Sequence, residues 1–255
     1  MNLYKLGLVS VSFRKYSPEE IIIAAKNAGL ECIEWGSDIH APAGDTDKLN
    51  KIAELRKKHG ITCCSYGTYF TLGTTDLSEL ENYIQSAKIL GTNVLRVWCG
   101  KKNKAEHTDS ERILFLEECK KAAKIAEENG AYICMECHNW SYTETIDGAL
   151  DLMNFVNSPN FLMYWQPNQF MDENTNLNYA ETISPYCKLI HAFNWKGDNR
   201  FSLADGVEIW KKYLGKLKDV KTVLLEFMPD DRIESLETEA KALFDITNSM
   251  HKEEL

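Results

Sequence analysis

Short apolar runs recur along the chain, and each is followed by a segment with a different period. Eight runs are rich in β-branched, aromatic and sulfur-containing residues, which is typical of strands buried on both faces. The segments between them carry apolar residues at three-and-four spacing, which predicts amphipathic helices. The eight predicted strands are LYKLGLVSV from residue 3, ECIEW from 31, ITCCSY from 61, NVLRVW from 93, AYICME from 131, FLMYW from 161, KLIHAF from 188 and TVLLEF from 222.

The predicted helices begin and end with recognisable signals. Ser17 is followed by Pro18 and, three positions on, by Glu20, which predicts a capping box with proline at the first helical position. Thr108 begins a second box of the same kind. Several helices end in glycine just before a strand, as at Gly60, where a left-handed residue permits a tight exit.

The regular alternation of strand and helix predicts the fold. Consecutive strands begin roughly 30 residues apart, the size of one β–α unit. Eight such units with right-handed crossovers close into a parallel barrel, so we predict an α/β protein, a (β/α)8 TIM barrel, as a single domain over residues 1–255. A doubly wound open sheet is the alternative, but no glycine-rich phosphate fingerprint follows the first strand. The longer segments follow the strands, which places the chemistry at the C-terminal mouth.

Composition and charge narrow the function. The chain has 255 residues, of which 44% are apolar, and its 38 acidic and 29 basic side chains give a net charge of -9. This balance disfavours a nucleic-acid partner. No apolar run approaches about 20 residues, and the segment MNLYKLGLVSVSFRK lacks the features of a secretory signal. We therefore expect a cytoplasmic protein without a membrane partner, whose eight cysteines are reduced core residues.

Aromatic residues cluster at the predicted strand ends. Five of the six tryptophans lie at or just beyond such an end, and four other aromatic residues join them, namely Tyr66, Tyr69, Phe70 and Phe227. The clustering predicts a cup lined with aromatic faces, suited to the C–H faces of a carbohydrate, although rings that plug the barrel top remain the alternative. The five tryptophans are Trp35, Trp98, Trp140, Trp165 and Trp195, and of these Trp35, Trp165 and Trp195 are predicted to contact substrate.

Ionisable residues interrupt four of the apolar strands. Glu34, Glu136, His191 and Glu226 all have apolar neighbours. A buried carboxylate is costly unless it is paired or bound to a metal. Arg96, in LRVW, is the buried cation that could pair with Glu34 or Glu136, and it is a candidate substrate contact. Because buried perturbed groups mark functional sites, we predict that the two later glutamates and the histidine form the site.

Two glutamates on opposite sides of a cup, with a histidine between them, are suited to metal binding and proton transfer. Their oxygens and imidazole can bind a divalent cation, and each carboxylate can move a proton at a carbon next to a carbonyl. Return of the proton to the opposite face inverts a stereocentre, whereas return to the neighbouring carbon converts an aldose to a ketose. The expected partner is a small sugar or polyol.

The motifs at the strand ends resemble those of the xylose-isomerase-like TIM barrels. They are IEWGSDIH, LRVWCG, MECHNW, LIHAFNW and LLEFMPDD. That family includes sugar and sugar-phosphate isomerases and epimerases, hydroxypyruvate isomerases and inosose dehydratases. The resemblance implies Glu136 and Glu226 as a metal-binding acid–base pair, His191 as a metal ligand, His138 as a substrate contact, and His40 and Arg200 as further pocket groups.

The sixth strand departs from the family pattern. Members usually carry Asp-x-x-His there, whereas this chain reads Trp165-Gln166-Pro167-Asn168-Gln169. Gln166 can still offer a carbonyl oxygen as a metal ligand, but the lost charge weakens binding by several kcal/mol, on the order expected at an effective dielectric near 20. We expect a divalent metal and leave manganese, magnesium and zinc open, with a site that works without metal as the alternative.

Other functions remain as alternatives. Dehydration of a keto-cyclitol begins with the same proton abstraction, and a degenerate barrel that only binds sugar fits the two amides. Endonucleases acting at abasic DNA need more metal ligands and a basic groove. Lys196 and Arg200 are candidates for a phosphate or acid group, with a solvated loop as the alternative. Whether the substrate is phosphorylated and whether the chain forms a homodimer stay open.

Overall fold

A computed structural model describes residues 4–253 and confirms the (β/α)8 barrel. Eight parallel strands close a ring in chain order, and an antiparallel hairpin follows the seventh. Leu3, the predicted start of the first strand, lies outside the described residues. The barrel strands are β1 (Lys5–Val9), β2 (Cys32–Gly36), β3 (Thr62–Leu72), β4 (Val94–Cys99), β5 (Tyr132–Glu136), β6 (Phe161–Trp165), β7 (Cys187–Ala192) and β10 (Thr222–Leu225), and the hairpin comprises β8 (Asn194–Lys196) and β9 (Asn199–Phe201).

Eight helices surround the described barrel, and their ends carry the predicted caps. Both capping boxes are present, at Ser17 and at Thr108. Gly60 and Gly91 end their helices in the left-handed conformation, with φ of 73° and 85°. The helices are α1 (Pro18–Asn27), α2 (Thr46–His59), α3 (Leu80–Leu90), α4 (Asp109–Glu128), α5 (Ile146–Val156), α6 (Glu173–Ile183), α7 (Val207–Lys216) and α8 (Leu236–Glu253).

Strand alternation builds the barrel interior in two layers. The lower layer is an apolar cluster that includes Cys32, Val94, Cys134, Leu189 and Leu224. Successive strand residues point to opposite faces, so the residue two positions later points inward again, nearer the C-terminal mouth. At those positions stand Glu34, Arg96, Glu136, His191 and Glu226, all of which are buried. The polar layer therefore rests directly on an apolar floor.

The same alternation sends two predicted substrate contacts outward. Trp35 and Trp165 are completely buried in the layer between strands and helices. The Trp165 ring packs 4.8 Å from the Tyr213 ring and 6.0 Å from the Trp210 ring, both on α7. The expectation that Trp35 and Trp165 contact substrate is therefore wrong. Each directly neighbours an inward-facing polar residue, so it must face the helices.

The third strand is longer than predicted. It continues past Tyr66 to Leu72, with an irregular register against β4 between Gly67 and Thr71. Tyr66 and Phe70, expected in the cup, are instead buried in the outer core. Tyr69, whose side chain is 38% exposed, lies between them in sequence and lines the mouth.

All eight cysteines are free, and six of them are buried. Within residues 4–253, none of the helices combines the length and apolar character needed to span a bilayer.

Candidate active site

A cavity of about 310 Å³ opens at the C-terminal mouth of the barrel. This volume lies at the lower end of the range for small-molecule sites. Glu136 and Glu226 lie at its base, together with Arg96, Gln166 and His138. Five site residues from the ends of four different strands thus meet in one cavity, as expected for a TIM barrel.

His191 lies beneath the cavity, between the two glutamates. Its Nδ1 atom is 3.5 Å from Glu226 Oε2, 3.8 Å from Glu136 Oε1 and 3.2 Å from Gln166 Oε1. Among the described residues, one ligand atom from each of the histidine and the two glutamates lies within 4.8 Å of the others, which is a candidate metal-binding triad. The amide oxygen of Gln166 is a neutral oxygen beside it.

The charge of this cluster fits a divalent cation. Glu34, Glu136 and Glu226 contribute three negative charges, and Arg96 contributes one positive charge. Burial lowers the pKa of His191, but the charges of Glu226 and Glu34 and the contacts with Glu136 and Glu226 raise it well above its ordinary value, so without a metal the ring is protonated and the cluster carries a formal charge of -1. A metal would bind the neutral ring, and the cluster around it would then carry -2. Uncompensated charge is costly in a buried site, and a dication balances it. Imidazole nitrogen with carboxylate and amide oxygens is a donor set that manganese, magnesium or zinc can use.

Glu34 forms the floor of the site and does not line the cavity. Its Oε2 atom accepts hydrogen bonds from Ser65 Oγ at 2.7 Å and Tyr164 OH at 2.8 Å. Its Oε1 atom lies 3.5 Å from His191 Nε2 and 3.6 Å from Arg96 Nε. Burial alone would raise the pKa of Glu34, but the neighbouring His191 and Arg96 and the Ser65 hydrogen bond hold it at about 2.

Glu34 therefore faces the edge of the His191 ring opposite Nδ1. A carboxylate in this place fixes the orientation and protonation of a ligating imidazole. Nε2 makes no hydrogen bond to Glu34 in this structure, so their contact is electrostatic. Nδ1, on the cavity side, donates to Gln166 Oε1 at 3.2 Å and would have to give up its proton to bind a metal.

Arg96 holds Glu136 in place from the neighbouring strand. Its Nη1 atom lies 3.1 Å from Glu136 Oε2 and donates to Thr68 O at 3.4 Å. Gly67 leaves the room this requires, because a Cβ there would lie 2.7 Å from Glu34 Oε1 and 3.0 Å from Arg96 Nη2. Burial raises the pKa of Glu136, but Arg96 and His191 together lower it well below its usual range. Glu136 is thus a carboxylate at neutral pH.

Aromatic rings form the walls of the cavity. Trp98 stacks on His138 with ring centroids 4.9 Å apart and an interplanar angle of 19°. Trp195 packs against Phe227 at 5.2 Å. Phe227 has φ of 54°, and its backbone N–H donates to Ser12 Oγ at 2.8 Å. A non-glycine residue held in this strained region at a cavity is typical of a functional site.

His138 lines the cavity, and the backbone holds one of its two ring nitrogens. Its Nδ1 atom lies 2.8 Å from Asn139 O. A backbone carbonyl only accepts, so Nδ1 carries the hydrogen in the neutral ring and Nε2 is an acceptor. His138 can therefore accept a hydrogen bond from a substrate hydroxyl.

Three predicted pocket residues do not line the cavity. His40 is buried, with Nδ1 3.2 Å from Ser10 Oγ and Nε2 3.2 Å from Tyr16 O. Arg200, on the hairpin, is paired with Asp231 and stacks over the Trp195 ring at 4.7 Å. Lys196 is exposed on the same hairpin. The expectation that His40 and Arg200 are pocket groups is therefore wrong, since both are engaged elsewhere.

Several cavity residues were missed by the sequence reasoning. Arg14 lines the mouth and donates from Nε to Asp38 Oδ2 at 2.6 Å and from Nη2 to Tyr69 OH at 2.8 Å. Asn139 and Asn168 line it from the loops after β5 and β6. Only their position in the sequence could have identified Asn139 and Asn168 as cavity residues, because each lies three residues after the end of a strand. Arg14 gave no signal, since it follows β1 in an ordinary polar stretch.

Comparison with known proteins places the chain in a family. The model of the xylose isomerase-like TIM barrel family matches residues 22–246, so the chain belongs to this family. A curated relative, the 3-dehydroshikimate dehydratase of Bacillus anthracis, is 25% identical over 177 residues, which are 64% of this chain and 63% of the relative. The match thus spans less than two thirds of the relative's length.

Solved structures share the fold at low identity. The probable 3-DHS dehydratase AsbF of Bacillus anthracis, involved in petrobactin synthesis, gives a TM-score of 0.81 at 18% identity and covers 94% of this chain and 98% of that one. The IOLI protein, crystallised with a zinc atom, gives a TM-score of 0.76 at 17% identity and covers 96% of this chain and 99% of that one. The D-psicose 3-epimerase of Clostridium cellulolyticum H10, crystallised with D-tagatose, gives a TM-score of 0.72 at 15% identity and covers 96% of this chain and 99% of that one. The proteins that share this fold with the chain thus include an epimerase and a probable dehydratase.

Proposed function

We propose that the chain is a sugar or sugar-phosphate isomerase or epimerase that abstracts a proton next to a carbonyl. The observation that carries this proposal is the convergence of Glu136 and Glu226 with His191 at the base of one cavity. Two carboxylates flanking one substrate carbon can remove a proton from one side and return it from the other. The substrate class is a small polyhydroxylated carbonyl compound.

The protein's own groups divide the work. Arg96 keeps Glu136 ionised and oriented toward the cavity, as a proton acceptor requires. Glu226, from β10, is the second proton carrier. His138 accepts a hydrogen bond from a substrate hydroxyl at Nε2, and the Trp98 and Trp195 rings exclude water from the walls.

Glu136, Gln166, His191 and Glu226 would hold a divalent metal. When bound, the cation supplies Lewis acidity that stabilises negative charge on the substrate oxygens as the proton leaves. Gln166 contributes a neutral amide oxygen, so we expect weaker metal binding than a fourth charged ligand would give.

A dehydratase is the second candidate. It is favoured by the 25% identity to the 3-dehydroshikimate dehydratase and by the TM-score of 0.81 to a probable enzyme of that kind. Dehydration begins with the same abstraction and differs in expelling the hydroxyl at the β-carbon. Both candidates therefore use the same two glutamates.

Product analysis separates the candidates. The purified protein would be incubated with Mn²⁺ and a panel of free and phosphorylated ketoses, inososes and 3-dehydroshikimate, followed by NMR of the products. A new stereoisomer or aldose supports the isomerase proposal, whereas a conjugated enone or an aromatic product supports the dehydratase. Sugar binding without conversion of any compound would contradict both and leave a non-catalytic barrel.

A further inference from the structure

Two large aromatic side chains stand exposed at the mouth of the cavity. Trp140 is 69% exposed and Phe170 is 55% exposed, and both line the cavity that has Glu136 and Glu226 at its base. Clustered exposed aromatic rings mark binding surfaces, because they present apolar area that a ligand can cover. The catalytic proposal assigns no role to either ring.

Hydrogen bonds hold the backbone at both aromatic positions. Trp140 has φ of 57°, and its backbone N–H donates to Glu144 Oε2 at 3.1 Å. Asn168 donates from its side chain to Asn139 Oδ1, which joins the loop after β5 to the loop after β6. The backbone N–H of Phe170 donates to Asn168 Oδ1 at 3.0 Å. One amide pair thus braces both aromatic positions, which is the preorganisation a binding site needs.

The base and the mouth differ in chemistry. The base offers polar groups that satisfy a polyhydroxylated ring, including Arg96, His138 and Gln166. Trp140 and Phe170 offer apolar faces several residues beyond the strand ends. A single small sugar bound at the base would leave the apolar ring faces of Trp140 and Phe170 at the rim uncovered.

We propose that the substrate has a second ring with an apolar face, which stacks on Trp140 and Phe170. This inference rests on the proposed function. It assigns the substrate to the class of glycosides or aryl conjugates of a polyhydroxylated carbonyl compound. An aryl ring and a second sugar ring share the required flat apolar face. The first ring occupies the base, and the second lies at the rim.

Binding measurements with matched ligands test the second ring without requiring turnover. The probes are methyl and phenyl β-glycosides of glucose, galactose and xylose, with cellobiose as the two-sugar probe, titrated by calorimetry in the presence of Mn²⁺. We expect the phenyl glycoside or the disaccharide to bind about 10-fold more tightly than the methyl glycoside of the same sugar. A preference for phenyl identifies an aryl group, and a preference for cellobiose identifies a second sugar.

Substitutions then test whether Trp140 and Phe170 cause the tighter binding of the two-ring ligand. Trp140→Ala and Phe170→Ala should each reduce the ratio of the two affinities toward one, whereas Leu114→Ala, at a side chain 73% exposed outside this cavity, should leave the ratio unchanged. Equal affinities for methyl, phenyl and two-sugar probes, or a ratio retained in both variants, would overturn the inference and leave the role of Glu136 and Glu226 untouched. A dimer that dissociates on Trp140→Asp would also overturn it, because a second copy would then cover the rings.

Discussion

Replacing Glu34 with glutamine removes one negative charge from the floor of the site while keeping the size of the side chain. Glu34 Oε1 lies 3.6 Å from Arg96 Nε, and unit charges at that distance interact by about 5 kcal/mol at an effective dielectric near 20. Arg96 retains Glu136 at 3.1 Å, so part of this energy is kept. We expect Glu34→Gln to lower the free energy of unfolding by about 3 kcal/mol, the lower end for a broken buried ion pair.

The larger consequence concerns the metal. Glu34 is the carboxylate that faces Nε2 of His191, and loss of such a partner typically weakens metal binding 10- to 100-fold. Calorimetric titration with Mn²⁺ or Zn²⁺ and urea unfolding measure the two effects separately. Glu31→Gln is the matched control, because it makes the same change at an exposed residue just before β2. Metal affinity and stability equal to those of the control would refute the assigned role of Glu34.

Two further predictions concern stability and thiol chemistry. Ser17→Ala and Thr108→Ala each remove a capping box and should cost about 1 kcal/mol, lowering Tm by about 2–4 °C, whereas exposed Ser78→Ala should have no such effect by calorimetry. Burial raises the pKa of Cys64 and Cys187 well above its ordinary value, and the other cysteines are buried, so iodoacetamide at pH 8 should label the folded protein slowly and the urea-unfolded protein fully. Rapid labelling of the folded protein, followed by intact mass, would contradict this.

The fold can be predicted from the sequence because each β–α unit contains its own strand, helix and capping patterns. Apolar runs of strand length, helical spacing between them and capping residues all agreed, and agreement across levels is what makes a fold readable. The polar layer was also visible, since Glu136, His191 and Glu226 each interrupted an apolar strand.

The predicted contacts that the structure contradicts are of two kinds: strand alternation excludes some, and contacts between distant segments remove the others. Glu34 and Trp35 are adjacent in one strand, so they cannot both face the interior, and the same holds for Trp165 and Gln166. That information was present in the sequence. By contrast, the pairing of Arg200 with Asp231 depends on how two loops meet in space, which a local pattern does not encode.

The central claim is that Glu136 and Glu226 act together on one carbon-bound proton. The most direct measurement is deuterium incorporation at carbon, followed by NMR for the substrate panel in D₂O with Mn²⁺. We predict that the wild-type protein exchanges the proton next to the carbonyl, and that Glu136→Gln and Glu226→Gln each abolish the exchange while remaining folded. Exchange that persists in both variants at the wild-type rate would contradict the account.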